Sequence, residues 1–208
     1  MLYKNLVFLF ILLGIYNFGG LNNCWMLVAM ANLIFHKKLF SKVVPSDQID
    51  NFNNLTYAGI FHFRFWQFEE WVEVVVDDYL PIKNERPLFG KSSNPNEFWS
   101  ALMEKAYAKL FGNYQAINFG NSIDSLEDFT GGLAQRFYLS ALGDESFQVL
   151  IKAYNQNSLI TCSTDGKSGE VLIISIIILF GVLFGVVFGV VFGVVFDVVF
   201  SVAFGVVF

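Results

Sequence analysis

The chain has 208 residues, of which 55% are hydrophobic and 18% aromatic, and its formal charge at neutral pH is −5. The absence of any basic run argues against nucleic acid as a partner. Two cysteines, Cys24 and Cys162, are too few for a disulfide framework and fit a reducing compartment. The apolar excess collects at the two ends of the chain, and these are interpreted separately from the middle.

The hydrophobic N-terminal segment, residues 1–17, contains an apolar stretch over 6–15 that follows Lys4. That stretch is long enough for the core of a signal peptide and too short to span a bilayer. No clear small-residue cleavage site follows it. A signal peptide, a signal anchor and a wrongly assigned first exon are all compatible with this segment.

A glycine-containing turn over 18–23 then leads into the apolar run 24–35, which predicts a helix buried on nearly all faces. Asn22 and Asn23 are suitable N-cap residues, and the cations at 36–38 suit the helix C-terminus. Cys24 would lie at the positive end of this helix, where a thiol pKa falls below its usual value of about 8.5 and the thiolate becomes a nucleophile. The alternative is a small buried hydrophobe, which is what most free cysteines are.

Two strands follow. Phe61, Phe63 and Phe65 alternate with polar residues, and 71–76 repeats the alternation, so the pattern predicts a hairpin joined through 66–70. His62 falls on the polar face, which favours a surface histidine over a ligand. The carboxylates at 77–78 close the hairpin and are more typical of a turn than of a cation site.

Helices dominate the next part of the chain. An apolar stripe over 98–111 predicts a helix that opens at 94–97, with Glu97 in its first turn, and ends at Gly112. Ser125 is expected to begin a short helix that the glycines at 131–132 interrupt. A last amphipathic helix is expected after Asp144, followed by a strand over 158–163.

Three stretches of this middle part resemble the protease core of the calpains, the calcium-dependent papain-like cysteine proteases: YAGIFHFRFWQFEEWVEVVVDD (57–78), NEFWSALMEKAYAKLFGNYQA (96–116) and SLEDFTGG (125–132). The resemblance implies an α+β fold, the papain-like first lobe, with a buried nucleophile helix, packed helices and a β-hairpin. It divides the chain into a first lobe (18–121), the start of a second lobe that is mostly missing (122–165) and an apolar tail (166–208).

The resemblance also implies roles for single residues. Cys24, in the segment GGLNNCW, matches the nucleophile that hydrolyses peptide bonds. Glu97 matches a carboxylate that binds calcium in the first lobe. Gly120 falls in the loop that pairs with the substrate backbone, and a glycine lets an extended peptide approach the main chain. Calcium as cofactor, protein or peptide substrates and a cytoplasmic location follow from the same resemblance.

Several positions depart from the calpain pattern. Phe18 replaces a glutamine of the oxyanion hole, and losing one such donor costs about 10²–10³ in turnover in a related chemistry. Asn22-Asn23 replaces a Gly-Asp pair. Ile15 stands where the family has an acidic calcium ligand, so Glu97 lacks a partner for an ion that prefers 6–8 oxygens. The calcium site is therefore expected to be incomplete.

The catalytic histidine and asparagine of the family are absent. The chain contains only His36 and His62, and neither lies in a family-like Gly-His segment. Because a papain-like thiol needs an imidazole to take its proton, we expect this chain to be inactive alone. The alternative function is a non-catalytic product that binds a peptide or a protease partner, and that is held at a membrane if residues 171–196 are a genuine span.

The tail contains 171–196, a run of 26 residues without a charge and a membrane-span candidate by length. From Gly185 onward the motif Gly-Val-Val-Phe recurs with a period of four residues. This period favours a translated simple nucleotide repeat over a real anchor helix, although either product would partition into a bilayer or aggregate.

Overall fold

The computed structural model describes residues 20–48, 57–92, 94, 97–138, 146–165, 171–174 and 197–204. The elements of the first part are α1 (Cys24–Leu33), α2 (Lys37–Val43), a 3-10 turn (Ser46–Gln48), β1 (Ile60–Gln67), β2 (Glu70–Asp77), β3 (Ile82–Lys83), β4 (Arg86–Pro87) and α3 (Trp99–Leu110). The remainder are a second 3-10 turn (Tyr114–Ile117), α4 (Ser122–Thr130), β5 (Leu133–Tyr138), α5 (Ser146–Asn155), β6 (Leu159–Asp165), β7 (Val171–Ile174) and β8 (Asp197–Phe204). This arrangement confirms the predicted α+β class.

Helix α1 forms the centre of the hydrophobic core, and every residue of it after Cys24 is buried. The predicted end of this helix near the cations at 36–38 is wrong. The amide of His36 bonds back to the carbonyl of Leu33, which closes the helix, and Lys37 then begins α2. The two lysines therefore open a second helix rather than ending the first.

The hairpin is confirmed, with β1 and β2 paired antiparallel from Ile60 opposite Asp77 to Gln67 opposite Glu70. Phe61, Phe63 and Phe65 are at most 5% exposed and carry one face of the hairpin into the core. The two residues of the connecting turn, Phe68 and Glu69, have φ of 50° and 67°, in the left-handed region that side chains disfavour.

Side chains satisfy main-chain groups of the hairpin that face away from the partner strand. The Gln48 amide contacts His62 on β1 twice, donating from Nε2 to the carbonyl (2.7 Å) and accepting the N–H on Oε1 (2.8 Å). On the β2 side, two lysines of α3 donate to the carbonyls of every second residue. Lys109 donates to Val75 (2.6 Å), and Lys105 donates to Asp77 (3.0 Å) and Tyr79 (2.6 Å).

The starts of α3 and α4 differ from the sequence prediction. Glu97 precedes Phe98, the N-cap of α3, so it does not lie in the first turn. Helix α4 begins three residues before Ser125, because the Asn121 side chain accepts the amide of Ile123 (3.1 Å) and caps the helix there. Its predicted end is confirmed at Gly131, which closes α4 with φ of 68°.

Strand β8 comes from the apolar tail and is central in a four-stranded antiparallel sheet of order β5-β8-β6-β7. The start of the run that is a membrane-span candidate by length, Val171–Ile174, is a strand, while 175–196 and the N-terminal segment 1–17 lie outside the described residues. Within the described ranges, no helix has the length and apolar character needed to cross a bilayer.

Candidate active site

Cys24 is the first residue of α1, as predicted, and its thiol is half-buried. The Asn23 carbonyl accepts the amides of Met26 (3.0 Å) and Leu27 (3.1 Å), which fixes the first turn of the helix. Burial raises the pKa of the Cys24 thiol, and this effect exceeds the opposing donation from the backbone amides of Trp25 and Cys24. The expected lowering of the thiol pKa at the helix terminus is therefore wrong, because desolvation of the thiolate outweighs the donation from these two amides.

Asn23 occupies the N-cap position, but its side chain makes no capping bond. Its Nδ2 donates instead to Glu104 Oε1 (2.5 Å), and Glu104 Oε2 accepts the amide of Gly90 (2.9 Å). Glu104 is only 1% exposed, and burial raises the pKa of its carboxyl.

Glu104 was not predicted as a site residue from the sequence, although its neighbours on α3 carry a signal. The positions three and four residues away from it on α3 are small or aromatic rather than charged, and all are buried: Ser100, Ala101, Tyr107 and Ala108. A carboxylate with no charged neighbour on such a helix face is expected to be buried.

The loop that carries Gly120 lies against the start of α1. A Cβ at Gly120 would sit 2.4 Å from Cε2 of the Trp25 indole, so only glycine fits there without a shift. The Asn22 amide donates to Asn118 Oδ1 (2.9 Å), and Ser125 Oγ donates to the Trp25 carbonyl (3.0 Å). The fold thus brings Gly120 to the residue that follows Cys24.

The two carboxylate oxygens of Glu97 already have hydrogen-bond partners within the chain. They accept Ser92 Oγ (2.8 Å) and Trp99 Nε1 (2.5 Å). Across the described ranges, no three His, Cys, Asp or Glu side chains converge as they would around a metal ion. In the described structure, both carboxylate oxygens of Glu97 are thus engaged by donors of the chain itself.

The adjacent carboxylates at the end of the hairpin also have partners. Asp77 pairs with Lys105 (2.5 Å), and Asp78 accepts the Tyr57 hydroxyl (2.6 Å). These contacts agree with the structural role that the sequence favoured for them.

Neither histidine is placed to act as a base for the thiol. His62 lies on the outer face of the hairpin, with Nδ1 3.0 Å from Glu73 and Nε2 3.1 Å from Asp47. His36 follows the far end of α1, about 15 Å along the helix axis from Cys24 at 1.5 Å per residue. The oxyanion-hole position Phe18 and the upstream position Ile15 lie outside the described residues.

Comparison with known proteins supports the resemblance read from the sequence. A family model described as "Calpain family cysteine protease" matches residues 15–177. Mouse calpain-9 is 49% identical over 147 residues, human calpain-8 is 50% identical over 150 residues, and the chicken calpain-2 catalytic subunit is 49% identical over 147 residues. These matches cover 71–72% of this chain but only 21% of each relative, so the chain spans about a fifth of their length.

Proposed function

Because the chain belongs to the calpain family of cysteine proteases, we propose that it is the nucleophile-bearing part of a calpain-like endopeptidase core, with Cys24 as the nucleophile. The observation that carries this proposal is the position of Cys24, at the first residue of a buried helix beneath the Gly120 loop. A nucleophile must combine a fixed backbone with an accessible thiol, and the half-buried Cys24 meets both conditions.

The proposed substrate is a protein or peptide in extended conformation, held on one side by the main chain around Gly120. The division into a first lobe (18–121) and the start of a second lobe (122–165) belongs to the same proposal, as does a cytoplasmic location. In this scheme the substrate lies between lobes, and this chain supplies mainly one of them.

We further propose that this chain does not cleave peptides alone. Both ring nitrogens of His62 are engaged by carboxylates, and His36 lies at the wrong end of α1. Proton transfer by a positioned base is worth about 10²–10⁴ in rate, and the raised pKa of the Cys24 thiol leaves less thiolate than an ordinary cysteine has.

The first test is casein hydrolysis by the full 208-residue chain in millimolar calcium, beside Cys24→Ala. The expected result is no difference between the two proteins. Calcium-dependent cleavage that disappears in Cys24→Ala would contradict the proposed inactivity, because it would require a base within reach of the thiol.

The second test asks whether Cys24 is a competent nucleophile when the rest of a protease is supplied. The segment of mouse calpain-9 that matches this chain is replaced by the matching segment of this chain. We expect cleavage that is lost in Cys24→Ala. A folded chimera as inactive as its Cys24→Ala version would favour the non-catalytic, partner-binding alternative.

Calcium is the cofactor of the family, and we propose that Glu97 alone gives this chain at most weak affinity for it. Calorimetric titration should find dissociation constants of about 10⁻⁴–10⁻³ M or weaker, because the site has too few oxygen ligands. Glu97→Gln is the control and should behave like the native chain. A micromolar affinity lost in Glu97→Gln would show that further ligands complete a site around this carboxylate.

A further inference from the structure

The buried carboxylate Glu104 connects three parts of the structure that are distant in sequence. It projects from α3, accepts the Asn23 side chain with one oxygen, and accepts the Gly90 amide with the other. The turn before α1 is also attached to the Gly90 segment through the Gly20 amide, which donates to the Leu88 carbonyl (3.0 Å). Asn23, the residue before Cys24, is thus held in place by a side chain of α3.

We propose that Glu104 is a positioning residue for Cys24, acting through Asn23 to hold the nucleophile turn, which we define as residues 20–24. The proposal deepens the function proposed above, because it assigns a role toward the nucleophile to a residue that the catalytic pattern does not include.

The carboxylate at position 104 fits the donors around it. A carboxylate is the only side chain of this length that offers two acceptor oxygens and no donor, and here each oxygen meets one N–H. A Cβ at Gly90 would approach Glu104 Oε1 to 3.0 Å, so the glycine allows the main chain to reach the carboxylate. These two donors offset the cost of burying the carboxyl group of Glu104.

The geometry of the Asn23–Glu104 hydrogen bond also predicts which substitutions preserve it. Glutamine at 104 can keep its oxygen on the Gly90 amide and turn its NH₂ toward Asn23. Asn23 then rotates its own amide to present Oδ1, and both contacts survive. Alanine at position 23 or at position 104 removes the hydrogen bond between them. A second alanine at the other position should therefore cause no further change in the Cys24 alkylation rate.

The experiment measures the second-order rate of Cys24 alkylation by iodoacetamide in the full chain, by peptide mass spectrometry well below the unfolding temperature. Variants are Glu104→Ala, Glu104→Gln, Asn23→Ala and the double alanine variant. Release of the turn exposes the thiol, and half a unit of thiol pKa changes the thiolate fraction about threefold. We therefore expect Glu104→Ala and Asn23→Ala to alkylate about threefold faster or more.

The double alanine variant should match the single variants, and Glu104→Gln should stay within about twofold of the native rate. Met103→Ala is the matched control on the same helix, since Met103 is a fully buried core residue. It should lower the unfolding temperature and leave the Cys24 rate unchanged.

Equal rates in Glu104→Ala and the native chain would overturn the proposal, as would a Glu104→Gln variant that reacts as fast as Glu104→Ala. If Glu104→Ala does not fold, Asn23→Ala and Glu104→Gln still decide, because the proposal requires opposite results from them. Alkylation needs no histidine and no second lobe. Its outcome therefore stands apart from the chimera experiment, which tests the role of Cys24 in peptide cleavage.

Discussion

At the scale of single residues, the thiol of Cys24 shows two opposed local effects. Its place at the first turn of α1 favours a negative charge, and its half-buried environment disfavours one. Burial is the larger effect, so the neutral thiol is stabilised in the folded chain. Reactivity then has to come from a partner that takes the proton rather than from the helix end.

This balance predicts the pH dependence of alkylation. The rate at Cys24 should rise with pH to a midpoint above about 8.5, the value for a free thiol. The same Cys24 peptide in denaturant is the control, and its midpoint should lie lower. A native midpoint below that of the unfolded chain would restore the helix-end argument.

Gly120 gives a second prediction at this scale. Because a methyl group there would lie 2.4 Å from the Trp25 ring, Gly120→Ala must displace the loop or the indole, at a cost of about 1–3 kcal/mol in unfolding free energy. The matched control is Gly20→Ala, whose added Cβ meets only the Leu88 carbonyl at 3.8 Å. Chemical denaturation measures the unfolding free energy of both variants. Equal values would show that the loop accommodates the added methyl group without cost.

At the scale of elements, the hairpin turn is strained at Phe68 and Glu69, both with positive φ. Glu69→Gly should stabilise the chain by about 1 kcal/mol, since glycine adopts φ of 67° without the Cβ penalty. Glu70→Gly, one residue later and inside β2, should destabilise it instead. Thermal unfolding of the two variants gives the comparison, and a loss of stability in Glu69→Gly would contradict the strain.

A contact between α3 and α4 gives a pH-dependent prediction. Tyr107 donates its hydroxyl to Asp128 Oδ2 (2.7 Å), and burial raises the pKa of Asp128 to about 6, with Asp124 and Glu127 adding to the rise. The unfolded value is about 3.9, so the folded chain holds this proton more tightly between these pH values. The stability that this group contributes is complete below pH 4 and is lost as the pH rises through 6.

In Asp128→Asn the loss of stability between pH 4 and pH 7 from this group disappears, because asparagine does not titrate. The free energy of unfolding of the variant, minus that of the native chain, should therefore increase by about 2 kcal/mol between pH 4 and pH 7. Denaturant titrations at several pH values measure this difference, in which the other titrating groups cancel. A difference that stays constant with pH would mean that Asp128 is ionised throughout.

Local patterns in the sequence predicted most of the elements. The alternation of Phe61, Phe63 and Phe65 was sufficient for the hairpin, because strand periodicity depends on which face is buried. The break between α1 and α2 was not predictable in this way. The apolar run continues past Leu33 to Phe35. The helix ends through backbone hydrogen bonds, which cannot be inferred from the pattern of side chains.

At the scale of the whole molecule, the limits of sequence reasoning lie in contacts between distant segments. The position of Cys24 on its helix could be predicted from neighbouring residues. The partial burial of its thiol depends on packing that only the fold creates, and the Asn23 side chain is held by Glu104, 81 positions further along the chain. Both errors at the site, in the thiol pKa and in the capping role of Asn23, have this origin.

The hydrogen bonds that Gln48, Lys105 and Lys109 make to the hairpin have a consequence for association between molecules. A two-stranded sheet has two open edges, and such edges recruit strands from other chains and seed aggregation. Here the Gln48 amide imitates a neighbouring strand along β1, and the two lysines occupy the alternate carbonyls that a strand added to β2 would need. The β1–β2 hairpin is therefore protected against edge-to-edge polymerisation by side chains rather than by a third strand.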